Sequence, residues 1–235
     1  MAEARGGRGI GLTVFVATML ALVLVAGSLM IGRVTATPET VPSTRSAEAG
    51  FARDMQTHHD QAVEMSLIVR DQTDDPAIRL LAYDILTSQA RQSGQMFGWL
   101  AVWGLPQASP EPAMTWMHRP VPGEGGTHAA HEADVDPAEV PTTMPGMATR
   151  EQLEELRSLT GEAAERRFLE LMIAHHEGGV EMAEAVVARS DLRVVTDLAS
   201  SMIAAQRSEI QLMQDLLAER GGETPERDAL AGRVP

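Results

Sequence analysis

Three hydrophobic patterns succeed one another along the chain. From Ile10 to Gly32, 23 residues run without a formally charged side chain. Beyond Ala47 apolar residues recur at helical spacing in separate segments, and between positions 104 and 148 no period holds. A helix over the first run, at about 1.5 Å per residue, is long enough to cross an apolar layer of about 30 Å. Arg5 and Arg8 in the short N-terminal flank would stay on the cytoplasmic side, which sends the rest of the chain outward. An uncleaved anchor in the cell membrane is favoured over a signal peptide, because the run exceeds the roughly 7 to 15 apolar residues of a signal core. Val34-Thr35-Ala36 keeps cleavage open as the alternative, with a secreted or periplasmic product. Residues 1–36 are thus expected to be a membrane anchor or signal segment, and 37–46 a polar, proline-containing tether.

The later helical segments form a repeat. At an offset of 117, Phe51 falls on Phe168, Met55 on Met172, His58-His59 on His175-His176, and Val63-Glu64-Met65 on Val180-Glu181-Met182. The same offset pairs Asp74 with Asp191, Gln89 with Gln206, Met96 with Met213 and Leu100 with Leu217. Matches that persist without a gap through two segments indicate duplication of a helix pair. The first pair is expected at 47–70 and 77–102, divided by Asp74-Asp75-Pro76, where aspartate caps and proline fits the first turn. The second copy reads as a short helix at 149–158 and two long ones at 161–189 and 192–219, stopped by Gly221-Gly222. Gly178-Gly179 lowers helix propensity but clears space for close packing. Helices that each bury one apolar face are most economically assembled as an antiparallel bundle. The expected fold is all-α: an antiparallel four-helix bundle over residues 47–220, formed by a duplicated helix pair, with an irregular crossover at 104–148 and a flexible tail at 221–235.

Composition narrows the function. The formal net charge is -14, and residues 1–36 are net positive, so the acidity lies in the exported part. A nucleic-acid partner is disfavoured, because it would need a basic surface. The absence of cysteine excludes disulfides, thiolate metal sites and cysteine nucleophiles. Fourteen methionines against 3% aromatic residues make the placement of the thioethers decisive, since methionine serves either as adaptable core filler or as a soft metal ligand.

That placement is regular. On a helix Met55 lies three residues before His58 and Met65 seven after it, so the three form a stripe with His59 at its edge; Met172, His175, His176 and Met182 reproduce it. Imidazole and thioether together suit copper, and thioether favours Cu(I) in particular. Two such stripes facing each other would donate to one central site or to several; the ligating nitrogen is open at this point. The competing explanation is ordinary core packing for the methionines, with the histidines hydrogen-bonded. One imidazole of each pair can bind metal while the other is oriented by a carboxylate. Asp54 is placed to contact His58, but Leu171 stands at its repeat equivalent, which weakens it as a ligand. Gln206 and Glu209 sit one turn apart on the last helix, opposite Gln89 and Gln92 in the first copy, as auxiliary candidates. A second soft-donor set occupies the crossover: Met114, Met117, His118, His128, His131, Met144 and Met147. Those flexible groups would collect an ion and become ordered by it, or simply cover the bundle.

The elements Met55-Gln-Thr-His58-His59 with Met65, Met172-Ile-Ala-His175-His176 with Met182, Met144-Pro-Gly-Met147, and Gln206-Arg-Ser-Glu209 with Met213 occur in an order that resembles the domain of unknown function 305 family. The resemblance spans residues 47–219. It implies a ferritin-like four-helix bundle and, for some members, an exported copper-binding protein associated with copper resistance. Gln92 stands where a glutamate equivalent to Glu209 would make the two copies alike. The leading expectation is an exported, non-enzymatic copper sequestration or handling protein, binding Cu(I) with Ag(I) as a second soft ion; iron and zinc rank lower. A homodimer or a metallochaperone partner is compatible with it. A ferritin-like metal-dependent oxidoreductase is the enzymatic alternative, but the paired Glu-x-x-His elements of di-iron bundles do not occur in the exported helices. A structural, non-catalytic helical bundle is the third.

Overall fold

The computed structural model describes residues 7–35, 41–121, 135–136, 140–141 and 143–222. The chain divides into two compact units, residues 1–41 and 42–235. Among its described residues the first contains one helix, α1 (Gly7–Thr35). Its stretch Thr13–Met30 is apolar and none of it is buried, the pattern of a helix suited to apolar surroundings on every side. The hydroxyls of Thr18 and Ser28 donate to the Val14 and Leu24 carbonyls one turn back, so both are satisfied within the helix.

The second unit contains α2 (Ala47–Gln72), α3 (Pro76–Val102), a 3-10 turn (Thr115–His118), α4 (Arg150–Ser158), α5 (Gly161–Val187) and α6 (Arg193–Glu219). It is all-α among the described residues. The local sequence explains the boundaries. Ser46 Oγ accepts from the Ala49 amide at the start of α2, and Asp75 accepts from Ala77 and Ile78 with Pro76 in the first turn of α3. Thr149 and Gln152 form a reciprocal capping box on α4. Gly221, at φ +70°, turns the chain out of α6.

Packing joins α2 to α3, α5 to α6, and the two hairpins through α2 and α5. One end is tied by Arg220, whose guanidinium donates to Glu165 at 2.6 Å and Asp75 at 3.0 Å, while the Thr73 hydroxyl donates to Glu165. The C-terminal end of α2 thereby meets the N-terminal end of α5, and the two inner helices run antiparallel. Apolar side chains then sort into two clusters. One gathers Met65, Ile78, Ile85, Leu156, Phe168, Met172 and Met213; the other gathers Phe51, Met55, Met96, Leu100, Met182, Val195 and Met202.

The described start of the crossover packs on the bundle. Trp116 is buried edge-on against Phe51, with ring centroids 6.0 Å apart. Asp54 accepts from the Met114 amide at 2.7 Å and from Trp116 Nε1 at 2.9 Å. Burial pushes the Asp54 carboxyl upward, opposed by these two donors and by Arg53. Arg53 in turn donates to the carbonyls of Thr44 and Pro106, which ties the segment before α2 and the segment after α3 to α2.

Candidate metal centre

Between the two apolar clusters, each long helix of the bundle contributes two polar residues: His58 and His59 on α2, Gln89 and Gln92 on α3, His175 and His176 on α5, Gln206 and Glu209 on α6. Adjacent residues on a helix point about 100° apart, so one histidine of each pair faces the opposite inner helix and the other faces its own hairpin partner. His58 and His175 accordingly meet face to face, with ring centroids 3.7 Å apart and planes at 33°. His59 Nε2 lies 2.8 Å from Gln92 Oε1, and His176 Nε2 lies 2.8 Å from Glu209 Oε2. His58 Nε2 lies 3.1 Å from the Pro145 carbonyl oxygen.

These partners settle the tautomers. Carbonyl and carboxylate oxygens only accept, so Nε2 carries the proton in His58, His59 and His176, and Nδ1 keeps its lone pair. All three Nδ1 atoms are buried without a hydrogen-bond partner, as are both ring nitrogens of His175 and the side-chain oxygens of Gln89 and Gln206. Burial also keeps the rings of His58, His59 and His175 uncharged. It lowers His58 to about 4 and His59 to about 3. His175 is lowered as well, by burial first and then by the neighbouring imidazoles of His58, His176 and His59. The His58 main chain favours the charge on His175 but makes no well-formed hydrogen bond to its ring.

The segment Met144–Ala148 closes over this layer. Besides the Pro145 bond to His58, the Gln61 side chain clamps Ala148 at both its amide (2.7 Å) and its carbonyl (2.9 Å). Gly146 lies against the backbone of Ala174 and His175, and Gly178 against the backbone of Pro145 and Gly146; a Cβ at either would collide with main chain. Gly179 faces the Gln206 carboxamide, a side-chain contact rather than a main-chain one.

Met55, Met65, Met172 and Met182 are all fully buried. Met55 and Met182 share one apolar cluster, Met65 and Met172 the other, so each side of the layer takes one motif methionine from each copy. Ten residues of helix separate Met55 from Met65, about 15 Å along the axis, so one stripe cannot close on one ion by itself. Among the described residues no group of three His, Asp or Glu side chains stands ready to hold a metal ion. The remaining candidates do not join the layer as a set. Asp54 is committed to Met114 and Trp116 instead of His58. Met114 and Met117 pack in the apolar cluster around Phe51, His118 is exposed, and Met144 and Met147 are half-buried. His128 and His131 lie outside the described residues. The Pro145 carbonyl and the Gln61 clamp carry no residue-type signature in the sequence; the glycines at 146 and 178 were the trace of that close approach.

Residues 48–217 match the family model described as domain of unknown function (DUF305). The chain is similar to the structure of a DUF305 protein from Streptomyces coelicolor described as secreted, at 47% identity over 79% of this chain and 100% of that one, with a TM-score of 0.66. It is similar to a DUF305 fragment from Deinococcus radiodurans at 31% identity over 74% and 96%, TM-score 0.56. The fold is also that of CopM in its Cu(I)-bound form, at 21% identity over 74% and 96%, TM-score 0.51; CopM is known in Ag- and Cu(II)-bound forms too. No protein of curated function matches the sequence.

Proposed function

The chain belongs to the DUF305 family, and from that premise we propose that it captures soft metal ions outside the cytoplasm, copper first and silver with it, in a ferritin-like bundle held at the membrane by α1. The observation that carries the reading is the concentration of unpartnered lone pairs in one buried layer. Three Nδ1 atoms, His175 and two carboxamide oxygens lack hydrogen bonds there. A buried polar group left unpaired costs roughly 1 to 3 kcal/mol, so a layer that accumulates them at one height, bordered by thioethers, suits an occupant that accepts electron pairs. Cu(I) and Ag(I) accept imidazole nitrogen and thioether sulfur. His58, His59, His175 and His176 would supply nitrogen; Met55 with Met182, and Met65 with Met172, would supply sulfur from opposite sides of the layer. CopM, with the same fold, holds Cu(I), Cu(II) and silver. The related secreted protein from Streptomyces coelicolor supports an extracytoplasmic location.

The role of this chain's own residues is to prepare donors. Pro145, Gln92 and Glu209 hold Nε2 and leave Nδ1 buried without a partner, which fixes each ring before an ion arrives. Burial keeps His58, His59 and His175 neutral, so binding to them at neutral pH need not displace an imidazolium proton. The test is titration of the full chain in detergent with Ag(I), and with Cu(I) under reducing conditions, against a variant with all four histidines replaced by asparagine. The wild type is expected to show at least one tight event that the variant lacks while its helical circular dichroism is retained. Unchanged stoichiometry and affinity in a folded variant would refute the reading.

A further inference from the structure

The duplication is faithful at the histidines and breaks at their partners. Gln92 and Glu209 stand at equivalent positions, and each holds its histidine's Nε2 at 2.8 Å. One is a neutral amide and the other a carboxylate. The rest of the layer keeps its residue types across the repeat: His58 stands with His175, although only His58 has a bond, to Pro145, and Gln89 stands with Gln206, both nearly buried and both with an unpartnered side-chain oxygen. The layer is therefore chemically polar from α3 to α6, with Glu209 placing a carboxylate, its side chain 25% exposed, at the α6 side.

An ion entering this layer brings its charge into a buried site. Neutral nitrogen and sulfur donors tolerate a monovalent soft ion, whereas a divalent ion leaves twice the charge to be offset, and uncompensated buried charge is costly. A carboxylate bonded to a ligating imidazole offsets charge and makes the ring a stronger donor, while an amide only orients it. Resting on the metal-binding reading above, we propose that Glu209 sets ion charge preference: the His176 side of the layer takes divalent copper, and the His59 side takes only monovalent soft ions.

The test exchanges the two partners in the full chain, using Glu209→Gln and Gln92→Glu, which preserve side-chain shape. Cu(II) and Ag(I) are titrated separately by competition, with the Cu(II) complexes followed by electron paramagnetic resonance for nitrogen coupling. Glu209→Gln is expected to weaken Cu(II) by about 10-fold or more while Ag(I) changes by no more than about twofold. Gln92→Glu is expected to add a second nitrogen-coupled Cu(II) event. Equal weakening of both ions by Glu209→Gln, or no change in Cu(II), overturns the proposal. Tight Ag(I) with weak Cu(II) in the wild type overturns it too and leaves the metal-binding reading standing, whereas a wild type that binds neither ion tightly removes both.

Discussion

A histidine in a core is tolerated only in the protonation state its surroundings allow. For His58 and His59 that state is neutral, because burial lowers them to about 4 and about 3. Both titrate near the ordinary imidazole value in the unfolded chain, so between pH 6.5 and 4 the unfolded state binds more protons than the folded one. The metal-free bundle is therefore fully stable with respect to these groups above about pH 6.5 and loses stability as pH falls toward 4. For His58 the loss is on the order of 3 kcal/mol. His59 and His175, lowered by the same burial, face it in the layer beside His176 and Glu209, so the measured change belongs to the set rather than to His58 alone. Urea unfolding of the full chain in detergent at several pH values checks this; a midpoint that is flat or rising from pH 6.5 to 4 would contradict it. At this scale the sequence identified the residue types and the repeat, but not the tautomers. Those depend on the Pro145 carbonyl and the Gln92 amide, and a backbone oxygen 87 positions away has no sequence mark.

The elements themselves were legible because their signals are local. Helical spacing, Ser46 and Asp75 as caps, and Pro76 in a first turn are all read within a few residues. The crossover was not. Its proline and glycine suggested an irregular cover, whereas Asp54 draws in Met114 and Trp116 and so leaves His58 to Pro145. Which of two partners a buried carboxylate takes is decided by tertiary placement, not by helical spacing. The seating of Met144–Ala148 on α5 gives the prediction for this scale. Gly178→Ala drives a Cβ into the Pro145 backbone and is expected to cost about 1 to 3 kcal/mol through overpacking. Gly94→Ala, where a Cβ meets nothing within 4 Å, is expected to stabilise α3 by about 0.5 to 1 kcal/mol. Thermal unfolding of the two variants in parallel checks the pair, and equal effects would mean that the loop is not seated on Gly178.

For the bundle unit, the offset of 117 places the same chemistry twice around a common layer. Antiparallel packing of α2 and α5 converts two linear stripes into two mixed sides, since Met55 joins Met182 and Met65 joins Met172. The sequence leaves open whether two opposed stripes serve one central site or several; the packing puts one motif methionine of each copy on each side of the layer. An acidic surface concentrates cations without choosing among them, so in the proposed reading any selection would rest on the layer. X-ray absorption at the copper edge of the Cu(I)-loaded full chain tests this most directly. Expected is a shell of imidazole nitrogen together with thioether sulfur, the sulfur contribution falling when Met55, Met65, Met172 and Met182 are replaced by leucine; a shell of oxygen and nitrogen alone, unchanged by those replacements, would contradict metal capture by the layer.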